Sequence, residues 1–244
     1  MIKLNCDMGE SFGSWKMGLD SEVMPYIDMS NIACGFHAGD PLVMDKTVKL
    51  AKQNSVTIGA HPGYPDLVGF GRRSMKCSAK EIESFIIYQV SALRGFCKTN
   101  GVDLEYVKPH GALYNDMMKD EEVFKAIVNG VKSYDANLKL MILSSSKNEK
   151  YQEIAGNLKL IYEVFADRAY MNDGSLMPRS MEGSVLHDEK EVLKRLQILV
   201  EKGVIISHTG KELKLQADSM CVHGDNEKAL ELVKSLRGYL DNEI

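Results

Sequence analysis

Short apolar runs alternate with longer amphipathic stretches along the whole chain, and this alternation limits the fold more than any other feature of the sequence. Apolar strands separated by amphipathic helices are typical of α/β proteins with a parallel sheet. Seven runs are strand candidates: Ile2–Asp7, Ile27–Ala33, Val56–Ala60, Leu104–Lys108, Leu138–Leu143, Leu158–Val164 and Met220–His223. The pattern predicts either a parallel barrel or a doubly wound open sheet.

The stretches between these runs carry helix signals. Asp40 followed by Pro41 is typical of an N-cap with proline at the first helical position, and Ser78 with Glu81 forms a capping-box pattern. No G-x-G-x-x-G motif follows the first strand, which weakens the dinucleotide-binding form of the open sheet. Helices are predicted at Asp40–Asn54, Ser78–Lys98, Glu121–Ser133, Glu189–Lys202 and Asn226–Leu240.

Composition places the chain among globular proteins. Its 244 residues allow one large domain or two small ones, and 44% hydrophobic with 26% charged residues allow a sizeable core. Thirty basic and 34 acidic residues give a net charge of −4, which argues against a nucleic-acid-binding protein. Five scattered cysteines without a C-x-x-C pair indicate neither a disulfide framework nor a thiolate zinc site.

The apolar runs are too short for a membrane helix, which needs about 18 residues. Asp7 and Glu10 interrupt the N-terminus where a signal peptide has its apolar core, so we expect a cytoplasmic protein without a membrane partner. Val204–His208 and Glu212–Gln216 flank Thr209-Gly210-Lys211, which predicts a β-hairpin at about 203–217.

Polar side chains follow most of the strand candidates, and in a parallel barrel all these strand ends meet at one face. Four of the six histidines share this position, which favours a common site, whereas His187 and His208 lack it. Because one site then draws on both ends of the chain, we expect a single domain over residues 1–244. The polar strand-end residues are Asn5, Asp7, Glu10, Asn31, His37, His61, Lys108, His110, Glu163, Asp167, Arg168 and His223.

Some polar residues have a structural interpretation. Asp40 and Asp225 each precede a predicted helix, and we expect them to be helix caps. Arg72 and Arg73 follow Gly69-Phe70-Gly71 and are either a solvated pair or a site for a carboxylate or phosphate.

Three chemistries fit such a cluster. The first is general acid–base catalysis by histidine and carboxylate. The second is a mononuclear metal site with Asp7, His61 and His110 as ligands, although no close-spaced metal motif supports it. The third is nucleophilic catalysis by Cys6 or Cys34, although the apolar surroundings of Cys34 favour buried packing.

Together, several motifs resemble the LamB/YcsF family. The run N-I-A-C-G-F-H-A-G-D-P at 31–41 is the most specific of them, and the resemblance extends from residue 2 to about 240. The other segments are Asn5–Glu10, Gly59–Pro65, Gly69–Arg73, Val107–Asn115, Glu163–Arg168, Gly174–Ser180 and Cys221–Asn226.

The resemblance implies a single-domain, seven-stranded TIM-like β/α barrel of the glycoside hydrolase/deacetylase type. It implies an ATP-dependent 5-oxoprolinase that cleaves 5-oxo-L-proline to L-glutamate while ATP, as co-substrate, is hydrolysed to ADP and phosphate. It also implies partner subunits B and C (PxpB and PxpC) of that enzyme. A divalent metal is left open. Because the chain has no G-x-x-x-x-G-K-[ST] loop, ATP must bind in another way or at an interface with a partner.

For this reaction we assign Asp7 and His61 to positioning or deprotonating a nucleophile, and Lys108 to stabilising negative charge. The full hypothetical catalytic set is Asp7, Glu10, His37, His61, Lys108 and His110. The hypothetical substrate- or ATP-binding set is Asn5, Asn31, Arg72, Arg73, Glu163, Asp167, Arg168 and His223. Two alternatives stay open: a metal-dependent deacetylase or amidohydrolase acting on a carbohydrate or small amide, and a non-catalytic 5-oxoproline-binding subunit.

Overall fold

The computed structural model describes residues 2–186, 188–222 and 226–242. Its strands are β1 (Lys3–Met8), β2 (Met29–Ala33), β3 (Thr57–His61), β4 (Leu104–Val107), β5 (Lys139–Leu143), β6 (Lys159–Phe165), β7 (Val204–Ile206), β8 (Glu212–Lys214) and β9 (Ser219–Val222). Seven of them, all parallel, close into a barrel in the order β1-β2-β3-β4-β5-β6-β9. The predicted seven-stranded barrel is therefore confirmed, and the open sheet is not formed.

Eight α-helices surround this barrel in the described part of the chain, with a short 3₁₀-helix at Met24–Tyr26. The five predicted helices are present, and three shorter ones were not predicted: α1, α4 and α6. The bounds are α1 (Asp20–Val23), α2 (Pro41–Gln53), α3 (Ala79–Asn100), α4 (Gly111–Met117), α5 (Glu121–Tyr134), α6 (Asn148–Ala155), α7 (Glu189–Lys202) and α8 (Glu227–Asn242).

Local sequence signals explain where two of the long helices begin. The Asp40 carboxylate accepts hydrogen bonds from the backbone N–H groups of Leu42 and Val43 at 2.8 and 3.0 Å, so it caps α2. Both halves of the capping box between Ser78 and Glu81 are formed at the start of α3. The predicted caps on these two helices are confirmed, whereas Asp225 and His187 lie outside the described residues.

The barrel closes between the two ends of the chain, because β1 pairs with β2 on one side and with β9 on the other. The register places Asn5 beside both Met29 and Cys221. The C-terminal strand is therefore part of the wall that holds the N-terminal site residues. A barrel cut before β9 would lose this closure.

A small cluster of Met29, Tyr106 and Met141, separate from the main core, comes from three barrel strands. Gly59 on the neighbouring strand makes room for it, since a Cβ there would lie 2.2 Å from the Tyr106 ring. The Tyr106 hydroxyl donates a 2.7 Å hydrogen bond to Asn31 Oδ1. This packed layer supports the polar residues that lie nearer the carboxyl ends of the strands.

β7 and β8 form an antiparallel pair outside the barrel, with Ile205 opposite Leu213. The loop between them contacts the segment after β6, where His208 N–H donates to the Tyr170 carbonyl. None of the helices in residues 2–186, 188–222 and 226–242 is long and apolar enough to cross a membrane. The assignment of residues 1–244 to one domain stays a prediction.

Candidate active site at the carboxyl ends of the strands

A cavity of about 810 Å³ lies at the carboxyl ends of the barrel strands. One polar group of its lining comes from β1, β3, β4 and the loops that follow them: Asp7, Glu10, His61, Lys108 and His110. The other walls contain Phe70, Tyr114, Phe165 and several methionines, together with basic side chains described below. A cavity of this size and mixed character is typical of small-molecule sites.

Lys108 directly follows β4, and its ammonium has several close partners in this cavity region. Its ammonium lies 3.1 Å from Asp7 Oδ1, 3.1 Å from Glu163 Oε2 and 3.3 Å from Cys221 Sγ. Burial alone would lower the pKa of Lys108, but the Asp7 and Glu163 carboxylates outweigh it and hold the pKa well above its ordinary value. The side chain therefore carries a fixed positive charge between two carboxylates.

Two buried carboxamides hold this charged group in place. Asn31 Nδ2 donates to Asp7 Oδ1 and to Asn5 Oδ1, both at 2.8 Å. Asn5 Nδ2 donates to Glu163 Oε2 at 3.3 Å, and its Oδ1 accepts from Lys108 at 3.2 Å. Asn5, Asn31 and Glu163 are fully buried and do not line the cavity, so they support Asp7 and Lys108 from beneath.

Three imidazoles lie next to this network. His37 and His110 stack in parallel with ring centroids 3.6 Å apart, and His61 stands perpendicular to both. His61 Nε2 lies 3.4 Å from Asp7 Oδ2 and 3.0 Å from His110 Nδ1. Glu10 Oε1 lies 3.2 Å from His37 Nε2 and 3.4 Å from His110 Nδ1.

In His61 and His110, the outer ring nitrogen, which is the one that does not take part in the contact between the two rings, donates a hydrogen bond to a backbone carbonyl. His61 Nδ1–H donates to the Lys108 carbonyl at 2.7 Å, and His110 Nε2–H donates to the Phe70 carbonyl at 2.8 Å. Phe70 has a φ of 53°, a left-handed conformation that is uncommon for a non-glycine residue. Gly71 follows it with no room for a side chain, since a Cβ would lie 2.8 Å from His110.

Burial sets the protonation of two of these rings. It lowers the pKa of His37 well below the ordinary value, and the neighbouring His61 lowers it further. Burial likewise lowers the pKa of His110, with His37 and His61 adding to the effect. Both rings favour the neutral form, in which an imidazole nitrogen can accept a proton or bind a metal ion. Glu10, His37, His61 and His110 present ligand-type atoms within 4.8 Å of one another.

The two adjacent arginines that the sequence suggests as an anion site lie in different surroundings in the structure. Arg72 lines the cavity, and its guanidinium lies over the Phe70 ring. Arg73 does not line it: the side chain is 66% exposed and forms an ion pair with Asp66.

The segment after β6 contributes one buried arginine to the cavity. Arg168 is 7% exposed, lines the cavity and donates to the carbonyls of Met177 and Ser184, so it also ties down the loop that follows. Asp167 is half-buried and is not a lining residue, and His223 lies outside the described residues.

Several residues at this site are absent from the predicted site sets. Tyr106 and Cys221 both contact the network, and in the strands predicted from the sequence each lies two positions before a predicted site residue, Lys108 and His223. The period-2 alternation of strands was the signal that could have found them. Tyr114 and Arg179 also line the cavity, and both lie in segments that carry the family resemblance, which was the signal that could have found them.

A cysteine nucleophile at Cys34 is disfavoured. Its thiol is buried and donates to the Ile32 carbonyl, and burial raises the pKa of Cys34 to about 12. Cys34 therefore packs in the core, as the apolar surroundings indicate. Cys6 is also buried, although it borders the cavity.

Comparison with known proteins identifies close relatives over almost the whole chain. The sequence model of the LamB/YcsF family matches residues 2–244. The chain is 52% identical over 242 residues to the 5-oxoprolinase A subunit of Pyrococcus abyssi, covering 99% of this chain and 94% of the relative. It is 53% identical over 238 residues to the 5-oxoprolinase A subunit of Vibrio campbellii, covering 97% and 94%.

Solved structures agree with this relationship. The lactam utilization protein from Thermus thermophilus superposes with a TM-score of 0.93 at 41% identity, covering 99% of this chain and 96% of that one. A putative cellobiose-phosphate cleavage protein from Enterococcus faecalis has a TM-score of 0.54 at 11% identity, covering 99% and 92%. The second similarity extends to the fold alone.

Proposed function

The chain belongs to the LamB/YcsF family, and from this membership we propose that it opens the lactam ring of 5-oxo-L-proline as the A subunit of an ATP-dependent 5-oxoprolinase. The names of its relatives support the substrate and the multi-subunit enzyme. The observation that carries the proposal is the buried Asp7–Lys108–Glu163 network beside the His61–His110 pair, all at the same end of the barrel.

Opening a lactam makes three demands on a site. The amide carbonyl must be polarised, water must lose a proton as it attacks the carbonyl carbon, and the ring nitrogen must gain a proton as the C–N bond breaks. The product is then an amine and a carboxylate, as in L-glutamate. A site for this reaction needs a fixed positive charge and at least one group that can both accept and donate a proton.

Lys108 supplies the fixed charge. Its three N–H groups already face acceptors on Asn5, Asp7, Glu163 and Cys221, so it stabilises a developing oxyanion through its field rather than through a free hydrogen bond. This arrangement is preorganised and does not need to move when charge develops on the substrate.

His61 and His110 are placed for the proton transfers. Both border the cavity, and the contact between their facing ring nitrogens gives a path for one proton. Asp7 Oδ2 orients His61, and Glu10 Oε1 faces His110. In this scheme the pair takes a proton from the attacking water and returns it to the leaving nitrogen, while His37 orients Glu10.

ATP would activate the lactam by transfer of its γ-phosphoryl group to the amide oxygen. Water then attacks the carbon, phosphate leaves, and the balance is ADP, phosphate and L-glutamate. Arg72, Arg168, Arg179 and Lys119 line the cavity walls and can neutralise anionic groups of the substrate or nucleotide. We assign the remaining nucleotide contacts to subunits B and C, and we place the complex in the cytoplasm.

The cluster of Glu10, His37, His61 and His110 favours a second candidate function. A metal-dependent deacetylase or amidohydrolase would hydrolyse a carbohydrate amide or another small amide without ATP. Hydrolysis that proceeds at the same rate without ATP would favour this candidate over the ATP-driven opening of a lactam.

Reconstitution tests the proposal. The chain, subunits B and C, ATP and 5-oxoproline are combined, and L-glutamate and ADP are measured by chromatography. We expect equimolar glutamate and ADP in the complete mixture, and no glutamate when ATP or this chain is omitted. Absence of glutamate from the complete mixture, or equal glutamate without this chain, would contradict the proposal.

A further inference from the structure

If His61 and His110 were both simple neutral imidazoles, their contact would bring two hydrogen-bond acceptors together without a donor. Each ring uses its outer nitrogen as a donor, because a backbone carbonyl only accepts: His61 Nδ1 to Lys108 and His110 Nε2 to Phe70. In the neutral tautomers this leaves a lone pair on His61 Nε2 and another on His110 Nδ1. These atoms face each other at 3.0 Å, so the contact is favourable only when they share a proton or bind one metal ion that lies beside the line joining them.

The outer hydrogen bonds are those of metal-binding histidines. An imidazole that ligates a metal through one nitrogen almost always donates its other N–H to a carboxylate or backbone carbonyl, which fixes the tautomer and the orientation of the ring. His61 and His110 both have this arrangement, and both residues line the cavity.

The carboxylate of Glu10 completes a set of three ligand atoms. Its Oε1 lies 3.4 Å from His110 Nδ1, close to the 3.0 Å that separates the two imidazole nitrogens. Ligands bound to zinc at about 2.0–2.1 Å in a tetrahedron are about 3.3 Å apart. All three atoms lie within 4.8 Å of one another, so movements of these side chains alone would let them surround one ion.

His37 has a different place in this arrangement. Its ring is parallel to that of His110, with centroids 3.6 Å apart and an angle of 3° between the planes. An imidazole binds a metal in the plane of its ring, so two parallel rings at this spacing cannot both point at one ion. His37 Nε2 instead contacts Glu10 Oε1 at 3.2 Å and orients the carboxylate.

We propose that Glu10, His61 and His110 form a divalent metal site of the two-histidine, one-carboxylate type, with zinc as the best match to the donor set. All three ligands line the cavity, so a further coordination position would face a substrate. A metal there would polarise a carbonyl oxygen or lower the pKa of a bound water, and that water would then replace the two imidazoles in the proton transfers of the proposed reaction. The proposal stands apart from the identity of the substrate, because it rests on the geometry of these side chains.

Metal binding to the chain alone tests this directly. The full chain is treated with a chelator, dialysed and titrated with Co²⁺, whose visible absorption reports ligand number, and with Zn²⁺ in competition with a coloured chelator. We expect one ion per chain, the absorption bands of four- or five-coordinate Co²⁺, and a rise in melting temperature with Zn²⁺.

Variants identify the ligands. We expect Glu10→Gln, His61→Asn and His110→Asn each to weaken Zn²⁺ binding more than about 100-fold, and His37→Asn to weaken it about 10–100-fold. His208→Asn is the matched control, because this exposed imidazole lies in the hairpin loop and should leave affinity unchanged. Glu10→Gln keeps the shape of its side chain, and circular dichroism verifies that each variant is folded.

Three results would overturn the proposal. One is no bound metal and no Co²⁺ spectrum with the folded wild-type chain, in which case the two imidazoles share a proton. The second is metal binding that the His208 variant weakens as much as the ligand variants do. The third is unchanged binding in folded Glu10→Gln. None of these results depends on 5-oxoproline being the substrate, so a failure of the metal site is distinct from a failure of the proposed function.

Discussion

Replacing Lys108 with methionine removes the one positive charge that Asp7 and Glu163 share. Methionine has a similar length and no charge, so the change keeps most of the volume. Asp7 is 22% exposed and can be hydrated, but Glu163 is fully buried. In Lys108→Met the Glu163 carboxylate keeps the neutral Asn5 amide as a hydrogen-bond donor at 3.3 Å, and it loses the lysine with which it forms its ion pair among the described residues. The variant therefore contains an uncompensated buried charge.

The structure sets the size of the effect. At 3.1 Å the attraction between Lys108 and Glu163 is about 5 kcal/mol for an effective dielectric constant of about 20, before the cost of desolvating both groups. Removing one partner of a buried ion pair usually costs about 3–5 kcal/mol. We expect Lys108→Met to lower the free energy of unfolding by that amount. The double variant Lys108→Met/Glu163→Gln should recover at least about 2 kcal/mol of it, because it removes the buried charge as well.

Urea unfolding followed by circular dichroism measures this cycle of wild type, two single variants and the double variant. The denaturant slope should stay constant, so that midpoints report stability. Lys139→Met is a control, since this lysine forms an exposed ion pair with Glu105 and should change stability little. A loss below about 1 kcal/mol in Lys108→Met, or a double variant as unstable as the sum of the single variants, would refute the reasoning.

Three further predictions follow from other parts of the molecule. Burial raises the pKa of Asp20 from 3.8 to about 6, and the nearby Glu10 adds to the shift. The folded state therefore favours the protonated carboxyl, whose contribution to the free energy of unfolding is complete below pH 4 and is lost as the pH rises through 6. Asp20→Asn should match wild type near pH 4 and exceed it by about 2–3 kcal/mol at pH 8 in urea unfolding, and a constant difference would contradict this. Gly59→Ala should lower the free energy of unfolding by about 3 kcal/mol or prevent folding, because the added Cβ would lie 2.2 Å from the Tyr106 ring. An unchanged melting temperature would contradict this, because the Tyr106 ring would then have moved at no cost. Cys34→Ala should keep at least half the turnover of the reconstituted enzyme, whereas a loss above about 100-fold would restore the nucleophile hypothesis.

The barrel and the meeting of its strand ends were predictable because parallel strands impose a simple geometry. Once Asp7, His61 and Lys108 are assigned to the ends of three parallel strands, the fold requires them to lie at one face. Caps such as Asp40 depend only on neighbouring residues, so they were predictable too. The short helix at Gly111–Met117 was missed, because seven residues give too little periodicity to recognise.

The finer arrangement of the site depends on contacts between distant segments. Arg72 and Arg73 are adjacent and equivalent in the sequence, yet Arg73 pairs with Asp66 while Arg72 lines the cavity. Asn5 and Asn31 follow the same strand-end rule as Asp7, and Asn31 is the register partner of Asp7, yet both carboxamides are fully buried and do not line the cavity. Side-chain direction and loop packing decide these outcomes, and no local pattern encodes them.

We expect the barrel mouth of this chain to open the lactam, and the variant Asp7→Asn in the reconstituted enzyme measures whether it does. The variant keeps the size of the side chain but removes the carboxylate that faces both Lys108 and His61. Asp103→Asn is the matched control, since this exposed aspartate lies just before the amino end of β4. We predict that Asp7→Asn still assembles with subunits B and C but forms L-glutamate at least about 100-fold more slowly, while Asp103→Asn matches wild type. Glutamate formation within twofold of wild type by a folded, assembled Asp7→Asn enzyme would contradict the account.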